Sequence, residues 1–431
     1  MRTRIVGGIA FALLLVGAPA ASAHAVLISM TPAAGSVVAT APAQVTLRFQ
    51  EPVDLTPAGV RVYDDRLRRV DDGRAGHLTG HRDTVGVRVQ PNLGSGTYTV
   101  TFRVVSGDSH PVAGAFTFSV GAPSTVRGSV GDVTGGSRTV GLGLGAARFV
   151  EYAGLAVGLG GLIFLALWPA GRRDHSARYV VRGGLIALFA GSIAALFLEG
   201  PYVAGTGWGS ILDGRTMSTV VTSHFGVALI MRVVVVGLIV VLYRVLLDRG
   251  PYGYPMSVAG IAVVLADTFA DAGHSSINDN YGLALLSDGA HVLAMTTWLG
   301  GLVLLVAVVL RCDPGALPAL LPRFSRVALG CITVIAGTGA YQAIRNVGYW
   351  PALVDTTYGR LILAKIAGLL LVVGLGYLAR RSVLRGTLPI RRALMAEVAT
   401  AVAVLVVTSV LVATVPGKTD YAAIATTFTV G

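Results

Sequence analysis

Polar and apolar residues alternate over the first part of the chain, before long apolar runs take over. Within residues 24–120, several segments alternate or are rich in β-branched and aromatic residues, at 45–49, 59–63, 97–102 and 115–120. Both patterns are typical of strands, and Pro and Gly punctuate the chain between them. Short strands at regular spacing predict an all-β sandwich of about a hundred residues.

The later apolar runs are long enough to cross a bilayer, which takes about 20 residues. They lie at 146–169, 180–203, 220–245, 255–272, 286–310, 324–345, 358–379 and 391–415. The composition, 53% hydrophobic and 13% charged, is also that of a membrane protein. We therefore expect a second, all-α domain at 146–415, a polytopic bundle of about eight transmembrane helices. Residues 121–145, rich in Gly, Ser and Thr, are predicted to be a flexible linker.

The N-terminus has the three parts of a secretion signal. Arg2 and Arg4 precede an apolar stretch at 5–16, and Ala21-Ser22-Ala23 matches the small-residue cleavage pattern. The sequence predicts a signal peptide at 1–23, so that the mature chain begins at His24 and the β-domain, 24–120, is exported.

Arginines between the apolar runs indicate how the bundle is oriented. They concentrate in alternate loops, around residues 172–178, 244–249, 311–326 and 380–392. Cytoplasmic loops carry such an excess, and an exported N-terminus gives the same orientation. We expect a multi-pass protein of the cytoplasmic membrane, with the β-domain and a tail at 416–431 outside. The net charge of +12 lies in these loops and forms no basic stripe, so nucleic acid is not an expected partner.

The predicted mature N-terminus brings metal-binding groups into the β-domain. An N-terminal His24 offers two nitrogens, its α-amine and its ring. In extended chain, Asp108 and His110 point to the same face because the strand period is two. Three nitrogens and one oxygen in a tetragonal set suit Cu(II). Taken alone, the Asp-x-His pair is also compatible with an exposed turn, and His77 and His81 are interpreted as solvated loop residues.

Four motifs in this domain resemble the CopC family of copper-binding proteins, in the family's order. They are His24-Ala25-Val26-Leu27, Thr31-Pro32-Ala33-Ala34-Gly35, Phe49-Gln50-Glu51-Pro52-Val53 and Asp108-Ser109-His110-Pro111-Val112-x-Gly114. The resemblance implies a Greek-key sandwich or barrel of cupredoxin or immunoglobulin type, with Cu(II) held by His24, Asp108 and His110. It also implies that Glu51 lies at an axial position or beside the ligands. Since Met30 is the only methionine of the β-domain after cleavage, a thioether Cu(I) site is not expected in this domain.

Histidines and carboxylates also occur in the apolar part of the chain, where ionisable groups are costly and usually functional. His224, His274 and His291 fall on the outer side of the predicted bundle, near the carboxylates of Glu151, Glu199, Asp267, Asp271 and Asp288. They could form a metal-entry vestibule, or they could cap helices at the level of the lipid headgroups. The sequence leaves both interpretations open.

Residues 146–415 resemble the CopD family of membrane copper proteins. The resemblance rests on Asp288-x-x-His291 with Trp298-Leu299-Gly300-Gly301-Leu302, and on Gly273-His274-Ser275. It implies that copper is moved across, or delivered at, the cytoplasmic membrane. Glu151 with Gly160-Gly161-Leu162 also aligns with His291 with Gly300-Gly301-Leu302 at a constant offset, as a parallel duplication would.

The sequence therefore predicts extracytoplasmic Cu(II) capture coupled to copper import or delivery, in copper homeostasis and resistance. Expected ligands and partners are Cu(II), with Cu(I) as an option in the membrane domain, the bilayer and other copper-handling proteins. No nucleophile elbow, P-loop or HExxH motif is found, so no enzyme is expected. Two alternatives stay open. One is a b-type haem cytochrome with His224 and His291 as axial ligands, although the leading hypothesis expects no haem. The other is a copper sensor or scaffold without transport.

Overall fold

The structure, a computed structural model of the 431-residue chain, describes residues 25–91, 93–106, 111–126, 137–271, 281–385, 390–412, 414 and 417. An all-β domain comes first and a bundle of long helices follows it. The two-part fold predicted from the sequence is confirmed.

Two four-stranded sheets form the β-domain, with the orders β1-β3-β6-β5 and β2-β8-β7-β4. Neighbours pair antiparallel, except that β2 and β8 are parallel. Consecutive strands are neighbours only in the β5–β6 and β7–β8 hairpins, and the other connections cross between the sheets. The strands are β1 (Leu27–Thr31), β2 (Val37–Val38), β3 (Gln44–Phe49), β4 (Val53–Tyr63), β5 (Gly76–Leu78), β6 (His81–Arg88), β7 (Gly96–Ser106) and β8 (Pro111–Val120).

Alternating apolar residues of both sheets meet in one core, which is why the domain is a sandwich. Leu47 and Phe49 of β3 are fully buried with Val100 and Phe102 of β7 in the same apolar cluster. The rings of Phe49 and Phe102 meet edge to face across the sheets, with centroids 5.9 Å apart. Such contacts add to the hydrophobic stabilisation and fix the end of the sandwich where β3 finishes.

His77 and His81 lie on strands, not in the loop that the sequence suggested. They belong to β5 and β6, which form a hairpin whose turn contains Gly80 at φ 80°. Glycine adopts this left-handed conformation without steric cost, which allows β5 and β6 to pair across a tight turn. Both histidine side chains are exposed, as expected.

Eight helices in the described part of the chain are long and apolar enough to cross a membrane. In chain order, and with the nine-residue helix α3 included, they are α1 (Arg138–Leu167), α2 (His175–Ala204), α3 (Gly214–Thr222), α4 (His224–Leu247), α5 (Gly253–Asp271), α6 (Tyr281–Leu304), α7 (Leu317–Val347), α8 (Thr357–Arg385) and α9 (Ile390–Leu411). A π-helical turn, Leu305–Val309, extends α6 toward Cys312. The number of spanning helices agrees with the prediction.

Capping residues explain where helix boundaries differ from the apolar runs. Helix α1 begins at Arg138 rather than near residue 146, because the Ser137 side chain accepts a hydrogen bond from the amide of Val140. The run at 220–245 is divided, because Ser223 is extended (ψ 154°) and its hydroxyl caps α4 by accepting from the amide of Gly226. Hydropathy alone carries no information about such caps.

Helices α1 and α6 pack backbone against backbone at the glycines of the aligned repeat. A Cβ at Gly160 would collide with the carbonyl oxygen of Thr296, and a Cβ at Gly300 would collide with that of Ala156. Small residues allow such close approach between membrane helices. The two matching segments are therefore partners in one helix–helix contact, at the centre of the bundle's apolar core.

Candidate functional site

Most of the predicted copper ligands lie outside the described residues. This applies to His24, Asp108 and His110, to His274, and to the side chain of His224. Glu51 and His291 are described, as are the segments that lead to the other positions. The described part of the candidate site consists of Glu51 and these flanking segments.

The flanking segments meet at one end of the β-sandwich. The amide of Gln50 donates to the carbonyl of Val26 at 2.9 Å, which ties the start of the domain to the end of β3. Val53, which begins β4, is paired with Ser106, and Val105 is paired with Pro111, which begins β8. The start of the described chain, the β3–β4 turn, the end of β7 and the start of β8 thus share one end of the domain.

Glu51 occupies the turn between β3 and β4 at this same end. It is 7% exposed, although a carboxylate is seldom buried without cations, hydrogen-bond donors or a metal beside it. Two residues after Glu51, Val53 is paired with Ser106. Asp108 and His110 follow Ser106 in the sequence by two and four residues. The position of Glu51 is consistent with a role beside the predicted ligands.

The β-domain contacts the helical bundle through Arg103 of β7. Its Nε donates to the carbonyl of Val203 at 2.7 Å and its Nη2 to the carbonyl of Tyr202 at 2.9 Å. These carbonyls belong to the last turn of α2, where helix carbonyls carry partial negative charge, and the carbonyl of Tyr202 also accepts from the amide of Gly205. Gly205, the C-cap at φ 70°, brings the backbone so close that a Cβ would lie 2.9 Å from Arg103 Cζ.

A cavity of about 460 Å³ lies inside the bundle. Three pairs of oppositely charged side chains lie in or beside it: Arg232 with Glu151 (2.9 Å), Arg148 with Glu199 (3.3 Å) and Arg345 with Asp288 (3.3 Å). Glu151 also accepts from the hydroxyl of Ser192 at 2.8 Å, and Arg232 donates to the carbonyl of Thr268 at 2.6 Å. Paired charges of this kind are far cheaper to bury in an apolar environment than single ones.

His291 lines this cavity and does not lie at a helix end. Helix α6 begins at Tyr281, so His291 lies nearly three turns inside it. Its Nδ1 is 2.8 Å from the hydroxyl of Thr338 on α7. The carboxylate of Asp288, one turn earlier on α6, forms an ion pair with Arg345. Among the described residues, no group of three His, Cys, Asp or Glu side chains could hold a metal ion. Of the three histidines in the predicted vestibule, the side chain of His291 is the one that the described part of the chain includes.

The cations of the cavity were not singled out from the sequence. Arg148, Arg232 and Lys365 are each a single cation inside an apolar run, and all three line the cavity together with Arg345. Their isolation in otherwise apolar segments was the available signal, because a lone charge in a membrane helix faces the protein interior. Thr338, the partner of His291, gave no such signal.

Comparison with known proteins accounts for nearly the whole chain. Three family models match in sequence order: the CopC domain at residues 27–121, the copper resistance protein D-like N-terminal domain at 139–285, and copper resistance protein D at 318–411. Copper resistance protein C of Pseudomonas syringae pv. tomato is 34% identical over 105 residues, which cover 82% of that protein. The chain belongs to the CopC/CopD family of copper proteins.

Other relatives extend the match across the CopC and CopD parts. The copper transport protein CutJ of Bacillus subtilis (strain 168) is 27% identical over 406 residues, which cover 90% of this chain and 73% of CutJ. The crystal structure of CopC from Methylosinus trichosporium OB3b matches with 32% identity and a TM-score of 0.20, covering 23% of this chain and 95% of that one. Membership of this family assigns the chain to copper handling, and none of these relatives is described as an enzyme.

Proposed function

We propose that the CopC domain captures Cu(II) outside the membrane and hands copper to the CopD part for import or delivery across the cytoplasmic membrane. The observation that carries this proposal is the contact between the two domains. Arg103, which holds β7 against the end of α2, precedes Asp108 by only five residues. The end of the sandwich at which the flanking segments converge is thereby next to the bundle.

The proposed copper ligands are the α-amine and ring of His24, the ring of His110 and the carboxylate of Asp108, with Glu51 beside them. This requires removal of a signal peptide at 1–23, so that His24 becomes the N-terminus. The convergence of the flanking segments supports the set, since sequence positions more than eighty residues apart are brought to one end of the domain. A mixed nitrogen and oxygen set favours Cu(II).

The proposed membrane orientation has the CopC domain and the tail at 416–431 outside. The arginine-rich loops would then face the cytoplasm, as the positive-inside rule requires. Copper accepted from the CopC domain would enter at the end of the bundle formed by the last turn of α2. His291, the described histidine inside the bundle, lines the cation-rich cavity and is not assigned to the copper route.

Cu(II) titration of the full mature protein, followed by paramagnetic resonance, tests the capture site. Wild-type protein should show a tetragonal Cu(II) signal with nitrogen couplings. His110→Ala should weaken binding by more than the roughly 10–100-fold that loss of a supporting residue costs. Glu51→Gln should cost about 10-fold. Affinity should also fall as the pH falls, because protons compete with copper for the amine and both imidazoles.

The exposed histidines of the β5–β6 hairpin provide matched controls. His77→Ala and His81→Ala remove the same ring from the same domain and should leave Cu(II) affinity and the resonance signal unchanged. Placing one residue before His24 should be as harmful as His110→Ala, because the amine then no longer chelates with the ring. Equal losses in His77→Ala and His110→Ala would show that the wrong histidines have been assigned.

A further inference from the structure

The cations that line the cavity inside the bundle outnumber their carboxylate partners by one. Arg148, Arg232 and Arg345 each have a carboxylate partner, whereas Lys365 of α8 also lines the cavity. Among the described residues, no hydrogen bond or ion pair reaches Lys365. A charge without a counter-charge is costly inside a membrane protein, so the cavity lacks one negative charge.

Hydrogen-bond donors without acceptors belong to side chains that line the same cavity. Nε and Nη1 of Arg345 and Nη1 of Arg148 are buried and have no acceptor in the described part of the chain. Both side chains are only 10% exposed. Buried donors without acceptors are unfavourable, and charged ones more so. Arg345, Arg148 and Lys365 therefore offer donors and positive charge to an oxygen-rich anionic group.

The rest of the cavity wall is apolar. Leu229, Phe269, Trp298 and Leu299 line it beside the cations, and Val372 and Leu405 line it from α8 and α9. Its volume of about 460 Å³ falls within the range of small-molecule pockets, about 300–1,000 Å³. An inorganic anion would match the cations but leave the apolar wall without a partner.

We propose that this cavity binds an anionic amphiphile, with a carboxylate or phosphate head at Lys365, Arg345 and Arg148 and an apolar body along the wall. A bare copper cation is a poor occupant, because the cations repel it and the described residues supply no cluster of metal ligands. The site lies between the segments matched by the two CopD models, since its wall includes α1, α6, α8 and α9. The inference is independent of the copper site in the CopC domain.

Thermal unfolding of the full protein tests the proposal. The protein is delipidated in a neutral detergent and titrated with oleate, with phosphatidylglycerol, with methyl oleate and with inorganic phosphate. Oleate or phosphatidylglycerol should raise the unfolding temperature, while methyl oleate, which lacks the charge, and inorganic phosphate, which lacks the apolar body, should not. If oleate acts at the lower concentration, the site prefers a carboxylate head. If phosphatidylglycerol does, the site prefers a phosphate head.

Lys365→Met removes the unpaired charge and keeps a similar volume, so the variant should fold. Its apparent affinity for the active probe should fall at least about ten-fold. Arg360→Met removes an exposed cation from the same helix and should behave like wild type. The proposal is overturned if methyl oleate or inorganic phosphate stabilises as well as the active probe, if Lys365→Met responds like wild type, or if no probe acts. Cu(II) titration of both variants is a separate readout, and it should be unchanged whichever result is obtained.

Discussion

At the scale of single residues, Asp71 shows how one buried carboxylate organises the β-domain. Its side chain has no exposed surface and accepts from Arg69 at 2.7 Å and from the amides of Val62 and Gly73 at 3.0 and 2.8 Å. Burial alone would raise the pKa of Asp71, but these hydrogen bonds and the charge of Arg69 lower it below its ordinary value. The ionised carboxylate therefore ties the loop after β4 to the strand itself.

Asp71→Asn should destabilise the β-domain by about 2 kcal/mol at pH 7, because the charged acceptor is lost. The pKa is lower in the folded state than in the unfolded state. The stabilisation is therefore complete above the unfolded value, about pH 4, and is lost as the pH falls through the folded value. Unfolding of wild type and variant, followed from pH 7 to pH 3, should show the difference shrinking. Asp72→Asn, at an exposed neighbour, is the control and should have little effect. A difference that stays constant with pH would contradict this account.

Some residues of the candidate sites could be identified from the sequence, and others could not. Glu51 was found because it belongs to a motif, and the structure places it with the segments that lead to the proposed ligands. Arg232 was missed because its importance comes from a partner on another helix, and Lys365 was missed because the cavity that it lines is formed by several helices. The pairing of Arg232 with Glu151 joins α4 to α1, and hydropathy does not reveal which helices are neighbours.

At the scale of elements, periodicity predicted the strands and apolar length predicted the spanning helices. Both are local properties of the chain, so they could be obtained without tertiary information. The break at Ser223 and the early start of α1 depend on single capping hydroxyls. The contact of β7 with the end of α2 is a property of two elements about a hundred residues apart, and no local pattern predicts it.

Arg103→Met should release the β-domain from the bundle. The variant loses two hydrogen bonds from a charged donor, each contributing about 1.5–3 kcal/mol. The docked fraction should therefore fall at least about ten-fold. Spin labels at Arg48→Cys and Leu212→Cys, in a background without the native cysteines, would report the distance between the domains. That distance should broaden in the variant, while Cu(II) binding should not change.

The control for this experiment is Arg88→Met, which removes an exposed arginine of β6 from the same domain. It should leave the distance distribution as narrow as in wild type. An unchanged distribution in Arg103→Met would mean that the interdomain contact does not depend on this side chain. Cellular copper accumulation in the same variants then tests whether docking matters for handover.

At the scale of the whole molecule, the bundle has two distinct ends. Arg172 in the α1–α2 connection donates to the carbonyl of Arg249 in the α4–α5 connection at 2.9 Å, and Sγ of Cys312 is 3.5 Å from the hydroxyl of Ser176. These arginine-rich connections therefore lie at one end. The CopC domain contacts the bundle at the end of α2, which is the other end. Charge and domain position thus point to one orientation in the membrane.

Labelling of thiols in spheroplasts with a membrane-impermeant maleimide tests this orientation. Cys312 is exposed and free, and the proposed orientation, which follows the positive-inside rule, places its end of the bundle in the cytoplasm. In a Cys331→Ala background, Cys312 should therefore react only after the cells are permeabilised. Leu212→Cys, at a position 81% exposed in the α2–α3 connection, should react in intact spheroplasts when Cys312 is replaced by Ala. Because the two thiols lie at opposite ends, each serves as the control for the other. Reaction of Cys312 in intact spheroplasts, with Leu212→Cys protected, would reverse the orientation and place the CopC domain in the cytoplasm.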